Sequence, residues 1–313
     1  MIVLNEEENK LAKRLNLKDL SEALPFPKYF QIETTHVCNA KCSYCTVRQW
    51  NIAKKFMDDQ LFYKIADEII QYKNWVERVC VARAGEPLMD KKLSERICYL
   101  KKNRIKYVNI STNVALLNEK ASIDLLEAGI DEVMLSIDSL HEDTYYKIKS
   151  GINFHRVLEN AKNFIRLRDK INPSSLIRMR AVLRPENEKE KEEWEEYWKD
   201  FLKENDRIYF KYQHSWGNQL EGCEPVSKDQ YVYDPCVILW STMNITSNGI
   251  VAMCNADYEA KMNLGDLNYA TIYDVWHLEK YNNLRKLHIT GRKNDLHFCR
   301  GCRIWDLEHR LED

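Results

Sequence analysis

Residues 35–45 have the sequence THVCNAKCSYC, in which Cys38, Cys42 and Cys45 are separated by three and then two residues. The three thiols lie in one short loop, so they can surround a single metal centre. Three thiolates on a four-iron cluster leave one iron without a protein ligand, and a small molecule can bind and react at that iron. A structural zinc site instead has four protein ligands. The spacing therefore favours a reactive iron–sulfur cluster over zinc completed by His36 or a distant residue.

Strand and helix patterns alternate along the chain around this loop. Apolar runs predict strands at 29–33, 78–83, 106–111, 132–137, 176–183 and 208–213. Apolar residues at three- and four-residue spacing predict helices at 7–15, after a cap at Asp58, at 91–102, at 119–128, at 142–149 continuing through 155–168, and from 188. Repeated βα units imply a parallel sheet, closed as a barrel or open and doubly wound. Functional groups then lie at the carboxyl ends of the strands.

The character of the sequence changes at about Gly222, where short, turn-rich segments with cysteines begin. Asn248-Gly249 between two apolar runs predicts a β-hairpin. At 313 residues the chain is long enough for a large domain and a smaller one. We therefore expect an α/β chain with a leader at 1–28, a barrel domain at 29–221 and a small cysteine-rich domain at 222–313.

Charge and composition exclude some classes of partner. Lys+Arg number 47 and Asp+Glu 48, so no overall field favours nucleic acid or an acidic membrane. The N-terminal segment lacks the features of a signal peptide, and no apolar stretch is long enough to span a bilayer. We expect a cytoplasmic protein without a nucleic-acid or membrane partner. In such a protein the 10 cysteines favour metal binding or redox chemistry over disulfides.

The cysteine loop resembles the signature of the radical S-adenosylmethionine (SAM) superfamily. This resemblance implies a partial (β/α)6 barrel and a [4Fe-4S] cluster, held by Cys38, Cys42 and Cys45, that binds SAM at its open iron. In the superfamily, cleavage of SAM gives a 5′-deoxyadenosyl radical that abstracts a substrate hydrogen. The resemblance also implies a reducing partner such as a flavodoxin or ferredoxin.

Three further segments resemble the loops with which the superfamily contacts SAM. Ala84-Gly85-Glu86-Pro87 is similar to the GGEP motif, with alanine at the first glycine, which implies that Glu86 accepts a hydrogen bond from the SAM ammonium. Gly85 has no Cβ and lets the backbone approach a ligand. Ser111-Thr112-Asn113 resembles the ribose-binding segment, and Ser136-Ile137-Asp138-Ser139 resembles S-x-D-G with serine at the glycine. Polar residues at strand ends also serve in local caps and turns. The SAM contacts expected from the resemblance are Tyr44, Gly85, Glu86, Ser111, Asn113, Ser136, Lys149 and Arg180.

A second set of cysteines lies near the end of the chain. Gly249 stands five residues before Cys254, and residues 299–302 form a CxxC element. Both resemble parts of the SPASM and twitch auxiliary-cluster domains, which implies a second [4Fe-4S] cluster bound by Cys236, Cys254, Cys299 and Cys302. The sequence ends at Asp313 without the further cysteines of a full SPASM domain, which favours the twitch type. A structural zinc site with the same four ligands is the alternative.

Three reaction types are compatible with these features. The layout is similar to that of dehydrogenases of aminoglycoside biosynthesis, so we expect oxidation of a sugar, an aminocyclitol or a similar polar small molecule. A dehydrogenase needs a base, for which His214, Glu221 and Asp257 are candidates. An epimerase instead needs a hydrogen donor, and Cys223 in a polar turn is a candidate. A peptide-modifying enzyme is the third type, which the short segment before Tyr29 disfavours because it cannot hold a leader-peptide-binding domain.

Overall fold

The computed structural model describes residues 6–49, 56–220 and 234–302. The strands are β1 (Tyr29–Ile32), β2 (Lys41–Cys42), β3 (Arg78–Cys80), β4 (Val108–Thr112), β5 (Glu132–Ser136), β6 (Lys149–Ser150), β7 (Leu176–Leu183), β8 (Arg207–Tyr212), β9 (Thr242–Ile245), β10 (Ile250–Ala252) and β11 (Asn263–Asp266). The helices are α1 (Glu6–Arg14), α2 (Asp59–Gln71), α3 (Leu93–Lys102), α4 (Glu119–Glu127), α5 (Glu142–Ile148), α6 (Phe154–Ile171), α7 (Lys191–Lys199), α8 (Ile238–Ser241), α9 (Ile272–His277) and α10 (Glu279–Ile289).

The first compact unit, which we call the parallel-sheet unit, comprises Ile32–Met57 and Arg78–Gln213. Strands β3, β4, β5, β7 and β8 lie side by side in that order, and every neighbouring pair is parallel. Helices α3 to α7 form the crossovers that parallel pairing requires. The consecutive residues Val108, Asn109 and Ile110 of β4 are all buried, so both faces of the strand are covered. The predicted parallel α/β sheet is confirmed.

Local sequence signals set several boundaries where they were predicted. The side chain of Asp58 accepts the Leu61 N–H at 2.9 Å and caps α2. Asn118 caps α4 in the same way through the Ala121 N–H at 3.0 Å. Strand β7 covers Leu176–Leu183, the predicted range, because its alternating residues Ile177 and Met179 point into the core and are buried.

The helix predicted to continue from 142 to 168 is interrupted, so this prediction was wrong. Helix α5 ends at Ile148, and α6 begins after Asn153, whose side chain accepts the Arg156 N–H at 2.8 Å. Gly151 lies between them with a φ of +88°, a left-handed conformation that glycine adopts without strain and that ends helices. The two-residue strand β6 occupies the break and pairs antiparallel with β2.

The second compact unit, which we call the hairpin unit, comprises Met1–Gln31, Asp58–Glu77 and His214–Asp313. Strand β10 pairs antiparallel with both β9 and β11, and Gly249 in the turn between β9 and β10 has a φ of +88°. The predicted hairpin at Asn248-Gly249 is confirmed. Helix α2 packs on this unit through Glu68, whose carboxylate accepts the Ile272 N–H at 2.7 Å at the start of α9.

The boundary predicted near Gly222 lies outside the described residues. A search of the described residues finds no helix that has both the length and the apolar character needed to cross a bilayer.

A buried ion pair fixes the end of α6 against the start of the last two strands of the sheet. The Arg168 guanidinium donates to both carboxylate oxygens of Asp206, at 2.8 and 2.7 Å, and both side chains are only 1% exposed. Burial alone would raise the pKa of Asp206. Hydrogen bonds from Arg168 and from the Lys203 and Ile177 N–H groups outweigh it and lower the pKa below 3.8. The pair is therefore ionised at neutral pH.

The substitution Asp206→Asn tests this pair. We expect the free energy of unfolding to fall by about 3–5 kcal/mol, because Arg168 would keep a buried charge without its counter-charge. Asp169→Asn is the matched control, since Asp169 binds the same guanidinium at 2.6 Å but its side chain is 38% exposed, and we expect a loss of about 0–1 kcal/mol. Denaturant unfolding of the two variants and the parent chain measures the difference. Equal losses would contradict the assignment.

Candidate functional site

The cysteine loop at 35–45 is fixed by the strand that interrupts the long helix. Cys42 lies in β2 and is in register with Lys149 of β6. The Ser43 N–H donates to the Ile148 carbonyl at 2.8 Å, and the Ser43 hydroxyl donates to the same oxygen at 3.1 Å. The side chains that pack together here are Cys42, Cys45, Tyr44, Ile148 and Val182. The break after α5 thus supplies the main-chain partner of the loop.

Burial decides the chemistry of the three thiols in this loop. It raises the pKa of Cys38 to about 11 and that of Cys45 to about 12. It also raises the pKa of Cys42, against the effect of the Lys149 ammonium. Cysteine binds metal as the thiolate, so a positively charged centre within the loop would offset the cost of ionisation. Each cysteine of a four-iron cluster binds a different iron, so the thiols need not converge on one point. In the described ranges no group of three or more His, Cys, Asp or Glu side chains is arranged so that it could hold a single metal ion.

Gly85 allows the loop after β3 to touch the main chain of the cysteine loop. A Cβ at this position would lie 2.4 Å from the Thr35 carbonyl oxygen and 2.8 Å from that of Val37. The next residue, Glu86, donates its N–H to the Val37 oxygen at 2.8 Å. The structure therefore explains the glycine by the close approach of two backbones.

The Glu86 carboxylate joins this contact to the end of β4. It is 2% exposed and accepts the Thr112 hydroxyl at 2.6 Å and the Asn113 N–H at 2.7 Å. A third donor is the Leu88 N–H at 3.2 Å. Burial raises the pKa of Glu86, while these three hydrogen bonds and the Lys149 charge act to lower it. A carboxylate has about four acceptor positions, so one remains for a ligand.

Asn113 brings the end of β4 next to the first cysteine. Its amide nitrogen donates to the Asn39 side-chain oxygen at 2.7 Å and lies 3.9 Å from the Cys38 sulfur. Its amide oxygen accepts the Ala115 N–H at 3.1 Å. Ser111 is partly exposed in β4, two residues before Asn113. Both predicted contacts thus lie at the strand end beside the cysteine loop.

Asp138 organises the charged groups that follow β5. One carboxylate oxygen accepts the Tyr44 hydroxyl at 2.9 Å and lies 3.0 Å from the Lys149 ammonium. The other accepts the Val182 N–H at 3.0 Å. Lys149 also donates to the Ser136 carbonyl at 2.8 Å. Burial, with the nearby Asp138 anion, raises the pKa of Tyr44 well above its usual range, so the phenol stays protonated and serves as a donor.

Arg180 completes this group from the neighbouring strand β7. Its guanidinium donates to the Ser136 hydroxyl at 3.2 Å, and its Nε is buried without a hydrogen-bond partner among the described residues. Its positive charge acts to lower the pKa of both Cys42 and Tyr44, as expected for a cation near the cysteine loop. Arg180 therefore offers a buried donor to an anionic ligand group.

The second set of cysteines lies together in the hairpin unit. Burial, together with the charges of the other thiols, raises the pKa of Cys254 and Cys299. The Cys302 N–H donates to the Cys299 carbonyl at 3.1 Å in the CxxC turn. The Cys236 N–H donates to Nδ1 of His288 at 3.1 Å. The four thiols are close enough to affect one another's ionisation, and as thiolates they would fit a positively charged metal centre.

Of the four residues considered for proton or hydrogen transfer, two can be described. His214 is buried, and its Nδ1 accepts the Trp216 N–H at 3.0 Å, which occupies the basic lone pair of the neutral ring. Asp257 is fully buried and accepts the Lys261 N–H at 2.9 Å and the Met262 N–H at 3.0 Å. Glu221 and Cys223 lie outside the described residues.

Three residues of this site were not among the contacts predicted from the sequence. The Thr112 hydroxyl donates to Glu86, and the Asp138 carboxylate pairs with Lys149. The Asn39 side chain accepts a hydrogen bond from Asn113. Thr112 and Asp138 lie inside the quoted motifs, so their position could have identified them. Asn39 carries no such signal, because its role depends on the fold of the cysteine loop.

Comparison with protein families matches both parts of the chain. Residues 32–197 match the Radical SAM superfamily. Residues 236–303 match the SPASM family, an iron-sulfur cluster-binding domain. The first range contains the cysteine loop and the network around Glu86 and Asp138, and the second contains the four other cysteines. The resemblance recognised in the sequence is confirmed.

Curated relatives resemble part of the chain. A probable GTP 3′,8-cyclase of Methanococcus maripaludis is 34% identical over 137 residues, which cover 44% of this chain and 45% of the relative. A tungsten-containing aldehyde ferredoxin oxidoreductase cofactor-modifying protein of Pyrococcus furiosus is 28% identical over 177 residues, 54% of this chain and 48% of the relative. The chain thus spans about half the length of these relatives.

Solved structures resemble nearly the whole chain. BtrN in complex with AdoMet and 2-DOIA has a TM-score of 0.60 and 18% identity, over 88% of this chain and 93% of BtrN. Streptococcus suis SuiB bound to S-adenosylmethionine has a TM-score of 0.66 and 18% identity, over 90% of this chain and 77% of SuiB. These likenesses confirm the predicted α/β fold, a partial barrel followed by a small cluster-binding domain.

The close approach at Gly85 gives a test of the first site. In Gly85→Ala the new methyl group meets main-chain oxygens of residues 35 and 37, so the cysteine loop must move. We expect reconstituted chains to lose the cluster of this loop and to hold about four irons in place of about eight. Ala84→Gly, which adds no atom, is the control and should keep the full content. Iron analysis after anaerobic reconstitution measures both, and full iron in Gly85→Ala would refute the proposed constraint.

Proposed function

Because the chain belongs to the radical SAM superfamily, we propose that it forms a 5′-deoxyadenosyl radical from SAM and dehydrogenates a polar small molecule, such as a sugar or an aminocyclitol. The family makes it a radical SAM enzyme with a SAM-binding [4Fe-4S] cluster, and the second domain binds iron and sulfur. The choice of an oxidation and of the substrate class is the proposal.

The groups of the parallel-sheet unit suit the parts of SAM. Cys38, Cys42 and Cys45 would hold the cluster, which when reduced and bound to SAM supplies the electron for cleavage. Glu86 keeps one acceptor position, which suits an ammonium group. Arg180 keeps a buried donor, which suits a carboxylate. We therefore propose the remaining predicted contacts as the SAM site, namely Tyr44, Gly85, Ser111, Asn113, Ser136 and Lys149.

The four cysteines of the second set, in the hairpin unit, carry the proposal of an oxidation. In that reaction the substrate C–H loses a hydrogen atom to the 5′-deoxyadenosyl fragment and the O–H loses a proton to a base. The second cluster, held by Cys236, Cys254, Cys299 and Cys302, would take up the remaining electron of the substrate radical, so that the substrate would lose two hydrogens in total and become a carbonyl compound. Four cysteines leave no open iron, so the chemistry of that cluster is electron transfer. A flavodoxin or ferredoxin is the proposed reductant of the first cluster.

The small-molecule class is taken from the likeness to BtrN, which was solved with 2-DOIA and is matched over 93% of its length. The structure of anSMEcpe with a Cp18Cys peptide is matched over 89% of its length, so a peptide substrate is the alternative. The relatives named as GTP 3′,8-cyclases share less than half of their length with this chain, so their substrate does not transfer with the likeness. Among the candidate bases, the Trp216 N–H occupies the basic atom of the His214 ring. Asp257 is fully buried and accepts two main-chain N–H groups of its own loop, so we assign it to the local fold and take Glu221 as our first choice.

Anaerobic reconstitution with a panel of aminocyclitols and sugars tests the proposal. We expect about eight irons per chain, release of 5′-deoxyadenosine only with dithionite, and a product lighter than the substrate by two hydrogen atoms. Glu221→Gln should keep 5′-deoxyadenosine release and lose product, because the substrate radical cannot be deprotonated. Mass spectrometry in deuterated water separates the alternatives. A product that gains one deuterium and is lost in Cys223→Ala would establish epimerisation and overturn the dehydrogenase.

The variant Glu86→Gln tests the SAM site. The amide replaces one acceptor oxygen by a donor that must face another N–H or O–H group, so we expect SAM affinity to fall by about tenfold or more. Glu119→Gln, at the exposed start of α4, is the control. Anaerobic equilibrium dialysis of labelled SAM measures both reconstituted variants, and iron analysis checks that the clusters remain. Unchanged affinity in Glu86→Gln with full iron content would exclude this role.

A further inference from the structure

A buried lysine stands beside the second set of cysteines. Lys293 begins the 3-10 turn Lys293–Asp295, six residues before Cys299, and is 2% exposed. Its ammonium donates to the Asp234 carbonyl at 3.1 Å, two residues before Cys236. The described residues include no carboxylate within ion-pair distance of it. Lys293 therefore brings a positive charge to the segment that carries one cysteine and to the turn that leads to another.

His288 holds the same segment from the end of α10. It is 1% exposed and accepts the Cys236 N–H through Nδ1. A doubly protonated imidazolium has no acceptor nitrogen, so this hydrogen bond identifies the neutral ring. Of the two buried basic side chains His288 and Lys293, the one that carries a positive charge is thus Lys293. The electrostatic effect of Lys293 is to favour the Cys299 thiolate, although burial and the other thiols dominate and raise the pKa of Cys299.

A second buried cation in this unit is bound differently. The Arg285 guanidinium donates to the Leu239 and Trp276 carbonyls at 2.9 and 3.0 Å. It also lies over the rings of Trp276 and Tyr281, at 4.3 and 4.7 Å from their centroids. Carbonyl oxygens and aromatic faces compensate a buried guanidinium. Within the described ranges the Lys293 ammonium has one hydrogen-bond partner, the Asp234 carbonyl, which by itself does not neutralise the charge.

A cluster ligated by four cysteines would supply a counterpart to the Lys293 charge. An unpaired buried charge is costly, and an anion nearby removes most of the cost. Four thiolate ligands give the metal site a negative charge, and each electron that the site accepts adds another. We propose that Lys293 is the counter-charge of the second iron–sulfur cluster and raises its reduction potential. This inference rests on the iron content of the hairpin unit and not on the identity of the substrate.

The second cluster can be studied alone in the full-length chain with Cys38, Cys42 and Cys45 replaced by alanine. In this background Lys293→Gln removes the charge and retains a hydrogen-bond donor. Redox titration followed by electron paramagnetic resonance gives the equilibrium constant for one-electron reduction. We expect this constant to fall at least tenfold, a shift of 59 mV to more negative potential. Lys286→Gln removes an exposed charge from α10 and should leave the constant unchanged.

Each outcome decides the inference. Equal potentials in Lys293→Gln and Lys286→Gln, with full iron, would overturn it and leave the proposed function intact. Zinc in place of iron in the hairpin unit would overturn both this inference and the proposed function. If Lys293→Gln does not retain a cluster, Lys293→Arg distinguishes charge from packing. Retention of iron in Lys293→Arg supports the counter-charge, and loss of iron in both variants overturns it.

Discussion

The contact between the Glu86 loop and the cysteine loop is the constraint on which the first site depends. Because Gly85 has no Cβ, the Glu86 N–H can reach the Val37 carbonyl at 2.8 Å. The Glu86 carboxylate then binds Thr112 and Asn113 at the end of β4, and Asn113 reaches back towards Cys38. Together these contacts connect the cysteine loop, the Glu86 loop and the end of β4 within the parallel-sheet unit. The positions of the cysteines and of the strand ends are therefore coupled.

The two cysteine sites use buried lysines in different ways. Lys149 is in register with Cys42 and its charge acts to lower the pKa of that thiol, while its ammonium also lies 3.0 Å from the Asp138 carboxylate. Lys293 has no carboxylate partner in the ranges that the structure describes, and its charge acts to favour the Cys299 thiolate. A cation that is paired with a carboxylate has a smaller net effect on the charge of a nearby cluster. A cation without such a partner stabilises the reduced, more negatively charged state of the cluster.

The sequence predicted those features that local chemistry fixes. The cap at Asp58, strand β7 and the turn at Gly249 follow from side-chain capping, alternating burial and a left-handed glycine. The break between α5 and α6 escaped prediction because helical spacing continues on both sides, and only the pairing of β6 with β2 makes the break favourable. The role of Lys293 was not predicted from the sequence for a related reason. Its burial and its single partner depend on tertiary packing, and no spacing marks a lysine as a counter-charge.

On the proposed function, the two units control two separate events. The contacts that position the first site include main-chain groups, namely the Glu86 and Asn113 N–H groups and the Val37 carbonyl. Such contacts do not depend on the substrate, which agrees with relatives that are named as GTP 3′,8-cyclases and as a cofactor-modifying protein. After hydrogen abstraction the product depends on where the next electron goes. If an electron acceptor of higher reduction potential is available, the substrate radical is oxidised. If no such acceptor is available, a hydrogen donor converts the radical to a closed-shell product. Lys293, for which the described part of the chain supplies no carboxylate partner, lies beside the second set of cysteines. On the proposed function it therefore bears more directly on the reaction type than the contacts of the first site do.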